Sequence, residues 1–354
     1  NFGSGAENVT LLWHLAFPFG MFFKVLALVA LLSVAILAIY PSLVKVSLFL
    51  VAGYFIAIKG RQVCLRRRFH GLSQDDAIHA AASMIRQAKS VVVFTGAGIS
   101  VESGIPDFRS PGGLWSRYNP LTYCEYNTFL AQPHLFWQFA RELVRDTHRA
   151  LGGSEDELKQ GSLRTSKPNK AHQALVELEQ LGFVSCVVTQ NVDGLHQEAG
   201  SEKVIEVHGT MATCSCIKSG LKVPQSEVIE LWADYIRENP DSRLETDRWV
   251  PRHSKTGGVL KADVTFFGEA LPTGVFSESA RAVLSSSVVL VIGTSLNVMP
   301  AGILPSMIKL RMGRVIIVNY DRSGADGASL YIQGSAGNVV PKILAELLRF
   351  RGQG

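Results

Sequence analysis

Through the last three-quarters of the chain, short apolar runs alternate with longer stretches of helical periodicity. The runs are Val91–Phe94, Val184–Val188, Val204–Glu206, Val288–Ile292 and Val315–Val318. Each is short, rich in β-branched residues and nearly free of polar positions, as a strand buried on both faces requires. Helical stretches such as Lys170–Leu181 and Pro341–Leu348 lie between and after them. This alternation predicts an α/β class, a doubly wound parallel (Rossmann-like) sheet. Ser73 caps an expected helix over Ser73–Ala88, with Asp75 and Asp76 in its first turn. The domain is read as 73–350, with a smaller inserted domain at about 210–262. In the insert, Val223, Val228, Ile229, Leu231, Trp232, Tyr235 and Ile236 are spaced as a helical core.

The first 70 residues follow a different pattern. Met21–Tyr40 is twenty residues long with Lys24 as its only charge, and Ser42–Ile58 is seventeen with Lys45 near its start. Both lengths suit membrane-spanning helices, with the lysines snorkelling to the headgroups. A transmembrane helical hairpin over 21–40 and 42–58, turning at Pro41, is the expectation. The basic run that follows (KGRQVCLRRR, 59–68) orients the rest of the chain to the cytosol. A single span with an interfacial tail, or an organelle-targeting leader, are the alternatives.

Charge and cysteine content refine the picture. The chain has 354 residues and a net charge of +5, and its first 70 residues hold seven basic residues against Glu7 alone. The rest is close to neutral, which gives no bulk electrostatic case for nucleic-acid binding. Five cysteines, odd in number and scattered, point to free thiols in a reducing compartment.

The strand Val91–Phe94 runs into Gly96-Ala97-Gly98. Glycines after a strand let backbone N–H groups close on a phosphate at the next helix, although many such turns are merely tight turns. The longer segment GAGISVESGIPDFRSPGGLW (Gly96–Trp115) resembles the sirtuin family of NAD-dependent protein deacylases. Five further blocks follow in family order: TQNVDGLH (Thr189–His196), VHG (Val207–Gly209), FFGEALP (Phe266–Pro272), GTSLNVMPA (Gly293–Ala301) and VNYD (Val318–Asp321).

The resemblance implies an enzyme that joins the acyl oxygen of an acyl-lysine protein to the nicotinamide ribose of NAD. Its products are nicotinamide, free lysine and O-acyl-ADP-ribose. In this reading His208 is the general base, since imidazole titrates near neutrality. Asn191 is catalytic, and with Gln190 it binds the ribose through uncharged amides. Asp193 and the Val192 backbone hold the nicotinamide carboxamide. Gly96, Ala97, Gly98, Asp107 and Arg109 belong to the cofactor loop, and Phe108 shields the reactive carbon from water. Gly293, Thr294 and Ser295 take the phosphate and adenosine ribose, Asn319 takes the adenine ribose, and Ala336 lies in a late adenine loop. There the usual Gly-Asp reads Gly334-Ser335. Val264, Phe266, Phe267, Gly268 and Glu269 form the strip that pairs with the substrate peptide by β-augmentation.

The sequence departs from the family pattern twice. Most sirtuins carry two Cys-x-x-Cys pairs that hold a structural zinc. Here the stretch offers Cys214-Ser215-Cys216 and later only His253, so the expectation is a zinc-free small domain in which Cys214 and Cys216 are the remaining candidate ligands. Sirtuins that prefer acidic acyl groups carry Tyr-x-x-Arg on the helix after the glycine loop. Ala140 and Leu143 stand there, with Arg141 and Arg145 nearby, which implies an apolar acyl pocket. Two other functions stay open: mono-ADP-ribosyl transfer to protein on the same NAD site, and a non-catalytic NAD-responsive membrane module.

Overall fold

The computed structural model describes residues 53–54, 71–108, 113–154, 156–157, 163–239, 247–322 and 324–352. The chain divides into two units, Asn1–Cys64 and Leu65–Gly354, and the second is described here. The expected hairpin (save Gly53 and Tyr54), the basic run and Arg109 lie outside the described residues. Among the described residues no helix is long and apolar enough to cross a membrane.

The expected first helix runs over Gln74–Arg86, and the Ser73 hydroxyl accepts the Asp76 N–H at 3.2 Å. Six parallel strands make the main sheet: β1 (Val91–Thr95), β2 (Val184–Thr189), β3 (Val204–Glu206) and, after the insert, β7 (Val288–Ile292), β8 (Arg314–Asn319) and β9 (Leu330–Gln333). Their order is β3-β2-β1-β7-β8-β9. The pleat sends Val91 and Val93 into one apolar layer, with the helices Gln74–Arg86 and Ala336–Gly352, and Val92 and Phe94 into the layer opposite. A sheet covered on both faces has no use for polar alternation, which explains the composition of its central strands. β9, one of the two edge strands, was not evident in the sequence.

The strand order reverses between β1 and β7. In open α/β sheets this reversal leaves a crevice beyond the carboxyl ends of the strands. The loops after Thr95, Thr189, Glu206, Ile292 and Asn319 all leave the sheet at that end.

A three-stranded antiparallel sheet, ordered β5-β4-β6, is formed by β4 (Gly209–Cys216), β5 (Lys222–Pro224) and β6 (Leu260–Val264). It shares an aromatic core with the helix Pro133–Ala150, through Phe136, Trp137, Phe139 and Phe266. The helix Gln225–Glu238 covers it with Val228 buried and Leu231, Trp232, Tyr235 and Ile236 partly so. Ile229 is a correction: it is 42% exposed. One residue on from Val228, it lies about 100° around the helix from the buried stripe.

Candidate active site

At the reversal the loops after β1 and β7 interlock through glycine. The Gly96 N–H donates to the Ile292 carbonyl at 3.1 Å and the Gly98 N–H to the Gly293 carbonyl at 2.9 Å. A Cβ on Gly98 would lie 2.7 Å from Gly293 Cα, and one on Gly96 would lie 2.7 Å from Thr294 Cβ. Gly293 also holds a positive φ of 63°, so bare backbone is needed on both sides of the contact.

The loop after β2 carries three polar side chains into the same place. Asn191, almost buried, donates from Nδ2 to the Gly96 carbonyl at 3.2 Å and to Ser100 Oγ at 3.1 Å. Ser100 in turn donates to Asp193 Oδ2 at 2.7 Å. Gln190 Nε2 donates to Thr294 Oγ1 at 2.8 Å, linking the loops after β2 and β7. The Val192 carbonyl accepts the Met211 N–H at 3.0 Å, which ties this loop to β4. Ser100 had no assigned role in the sequence, although its place directly after the glycine turn offered a hydroxyl for one.

His208 stands between β3 and β4, with Nδ1 3.1 Å from the Gln190 carbonyl. A carbonyl only accepts, so Nδ1 carries the proton and Nε2 is left with its lone pair. Burial pulls this imidazole below its ordinary value, and the bond to Gln190 partly offsets the shift. The ring is therefore neutral at physiological pH and able to accept a proton.

On the adenine side, Asn319 Nδ2 donates to Asp321 Oδ1 at 3.3 Å and lies 3.5 Å from the Thr294 carbonyl. Ser295 is half-buried in the loop beyond Gly293. Ala336 is buried at the start of the helix Ala336–Gly352, where the Gly337 N–H donates to Glu102 Oε1 at 3.2 Å. Ala336 thus sits beside the segment after the glycine turn.

Asp107 and Phe108 open the loop toward the aromatic core. Phe108 stacks on Trp115 at 4.9 Å, Trp115 stacks on Phe139 at 5.9 Å, and Phe267 meets Trp115 edge-on at 6.5 Å. Ala140 and Leu143 are partly buried against the same cluster. Arg141 points elsewhere and is buried in an ion pair with Asp247 at 2.6 Å.

The strip after β6 is held from both sides. The Phe267 N–H donates to the Cys124 carbonyl at 2.8 Å, and the Tyr126 N–H to the Phe267 carbonyl at 2.9 Å. The Thr265 N–H donates to the His208 carbonyl at 2.8 Å. Glu269 Oε2 accepts the Phe266 N–H at 2.9 Å and lies 3.0 Å from Lys261 Nζ, which also donates to the Val264 carbonyl at 2.8 Å. Gly268, with φ of 79°, makes the turn. The N–H groups of residues 265–267 are therefore already engaged, and a substrate strand would have to use what remains.

The profile of the Sir2 family matches residues 96–300. The chain belongs to the Sir2 family. The NAD-dependent protein deacylase of Thermococcus kodakarensis is 38% identical over 265 residues, covering 75% of this chain and 93% of that one. The NAD-dependent protein deacylase 2 of Archaeoglobus fulgidus is 37% identical over 281 residues, covering 79% and 99%. Among solved structures, one described as the basis for the mechanism and regulation of Sir2 enzymes has a TM-score of 0.67 at 36% identity, covering 78% of this chain and all of its own. A Sir2 homologue solved with NAD has a TM-score of 0.62 at 32% identity, covering 77% and 94%. A Sir2 protein bound to a myristoylated histone peptide has a TM-score of 0.61 at 32% identity, covering 79% and 99%. This chain shares the Rossmann-like sirtuin fold.

For this sirtuin the place of a structural metal can be tested on its own residues. Two turns face each other, Cys216-Ile217-Lys218-Ser219 and His253-Ser254-Lys255-Thr256. Cys216 Sγ lies 3.3 Å from Thr256 Oγ1, and Ser219 also hydrogen-bonds to the thiol. His253 Nδ1 accepts the Lys255 N–H at 3.1 Å. Cys214 is buried in the aromatic core, where burial pushes its thiol up to about 12. One thiol, one imidazole with an engaged nitrogen and two hydroxyls do not fit tetrahedral zinc. Among the described residues no three His, Cys, Asp or Glu are grouped to hold a metal ion.

Proposed function

We propose that this chain is an NAD-dependent lysine deacylase acting on proteins with uncharged acyl groups, and that the site works through the residues around the β1–β7 crevice. The relatives and the fold support the activity. Bound NAD supplies the ribose carbon that the acyl oxygen attacks and the nicotinamide that leaves. The glycines let the loops after β1 and β7 pack closely, and the bare backbone of this turn lies where the phosphates would bind. Gln190 and Asn191 present amides to the ribose, and a neutral amide does so without opposing a cation-like centre. Asp193, fixed by Ser100, faces the nicotinamide carboxamide with the Val192 backbone. Thr294, Ser295, Asn319 and Ala336 hold the adenosine half.

His208 carries the reading. With Nδ1 committed to the Gln190 carbonyl, Nε2 is the free basic nitrogen and accepts the proton of a ribose hydroxyl. Phe108, stacked into the aromatic cluster, keeps water from the reacting carbon. The acyl group enters that cluster, where Ala140 and Leu143 offer no charge to a carboxylate.

Turnover by the full chain in detergent tests this reading, using NAD and acetyl-, long-acyl- and succinyl-lysine peptides. Nicotinamide release with the uncharged peptides that disappears in His208→Ala is the expected result. Release without any acyl peptide, coupled to labelling of a protein by ADP-ribose, would replace deacylation by ADP-ribosyl transfer.

The small domain closes without zinc, its turns joined by the Cys216–Thr256 contact. The segment before residue 70 anchors the enzyme at a membrane, as a hairpin over 21–40 and 42–58 that leaves residues 73–350 on the cytosolic face. Retention of the full chain in membranes after an alkaline wash, and its loss on deleting 1–70, is the expected outcome.

A further inference from the structure

Beneath the site lies a buried chain of hydrogen bonds that ends on the backbone of Asn191. Thr95 ends β1 and Thr189 ends β2, side by side in register. Thr95 Oγ1 donates to Thr189 Oγ1 at 2.8 Å, and Thr189 Oγ1 also accepts the backbone N–H of Asn191 at 3.0 Å. His196 Nε2 lies 2.9 Å from Thr95 Oγ1. All of these groups are buried: Thr95 and Thr189 are 0% and 2% exposed, and His196 is 1% exposed.

The direction of every proton in this chain follows from counting. A hydroxyl has one proton. Thr95 spends its own on Thr189, so His196 Nε2 must be the donor to Thr95. His196 is then the Nε2–H tautomer, with Nδ1 a bare acceptor. The neighbouring His172 is fixed as the same tautomer, because its Nδ1 accepts the Asn169 N–H at 3.3 Å and its Nε2 carries the proton. The two rings lie 4.9 Å apart, and the two remaining nitrogens, His172 Nε2 and His196 Nδ1, are buried without a partner among the described residues. One is a donor and the other an acceptor, so a single bridge between them satisfies both.

We propose that His196 is a positioning residue for this enzyme: it aims the Thr95 hydroxyl at Thr189, and Thr189 in turn fixes the backbone of Asn191 under the ribose. The proposal rests on the catalytic reading of Asn191. His196 acts only as a neutral donor, and burial, which pulls its imidazole down to about 3, keeps it neutral throughout the working pH range. The charged and titratable neighbours are His172, on the helix Lys170–Gln180, and Asp193, at the entry to the helix Leu195–Ala199. The same logic reaches the glycine turn, since Asn169 Nδ2 holds the Ile99 carbonyl at 2.7 Å and Ser103 Oγ at 2.9 Å.

The test compares His196→Leu, His196→Gln and Thr95→Val with the wild type and with Asn191→Ala, all as full chains in detergent. Gln can place an N–H donor where Nε2 stands; Leu cannot. Kinetics with NAD and acetyl-lysine peptide are read beside thermal melting. The expected result is a kcat for His196→Leu and Thr95→Val lower by roughly tenfold, the rate equivalent of one buried hydrogen bond. The peptide KM should be unchanged, and His196→Gln should recover most of the loss. Equal kcat for the Leu and Gln variants, with Asn191→Ala inactive, overturns the positioning role. Full activity of Asn191→Ala would instead sink the catalytic reading beneath it. Should His196→Leu fail to fold, Thr95→Val decides alone: wild-type kcat in that variant overturns the proposal.

Discussion

Arg141 and Asp247 form a buried ion pair at 2.6 Å, with side chains only 4% and 3% exposed. Asp247 also accepts from the Tyr235 hydroxyl at 2.9 Å and the Trp249 N–H at 2.8 Å, and Arg141 lies over the Trp249 ring. The pair therefore fastens the helix Pro133–Ala150 to the covering helix of the small sheet. Removing one partner strands a charge in a dry place. Arg141→Met or Asp247→Asn should each lower the unfolding free energy by about 3–5 kcal/mol, and the double variant Arg141→Met/Asp247→Leu by clearly less than the sum. Urea denaturation of the set checks this; additive losses would refute the coupling.

His208 governs the pH response. Its folded value lies below that of a free imidazole, so the basic form persists as the solution is acidified. The acid limb of kcat/KM should accordingly fall at a pH below the free-histidine value of about 6.5. A limb centred well above that value would mean that another group, or a differently solvated His208, controls the rate.

The glycine interlock predicts a defect in cofactor binding. In Gly98→Ala the new methyl would meet Gly293 Cα at 2.7 Å. Overpacking of this kind costs about 1–3 kcal/mol, so the melting temperature should drop and the KM for NAD should rise. Enzyme that melts and binds NAD like the wild type would show that the loops separate freely.

The knuckle of Cys216, Ser219, His253 and Thr256 is held by hydrogen bonds. Prolonged chelation should leave both the melting temperature and turnover unchanged, and elemental analysis should find well under one zinc per chain. Stoichiometric zinc, or unfolding by a chelator, would reverse the reading of the small domain.

The main sheet was legible because its central strands are buried on both faces and write that fact as runs such as Val288–Ile292. β9 was not, because an edge strand tolerates Tyr331 and Gln333 among its apolar residues. β4 was hidden for a related reason: Gly209–Cys216 mixes threonine, serine and cysteine, and its pattern is set by partners some fifty residues away. The candidate site residues stand in recognisable blocks of sequence, but their pairings do not show there. The contact of Cys216 with Thr256, the diversion of Arg141 to Asp247 and the Nδ1 bond that frees His208 Nε2 are all decided by long-range packing. Ile229 shows the limit of periodicity, since spacing alone does not say which side of a helix faces inward.

β1 pairs on one side with β2 and on the other with β7, Val91 lying opposite both Val184 and Val288. The crevice therefore has no local precursor: nearly two hundred residues of chain must be synthesised and folded back before its two lips meet. Such long-range closure is slow, because loop entropy opposes it until the strands pair. A nascent chain that ends before β7 has no half-formed site to bind NAD prematurely. Cofactor affinity in this enzyme is thus a report on completed folding, and a truncation that spares every catalytic side chain but removes β7 should bind nothing.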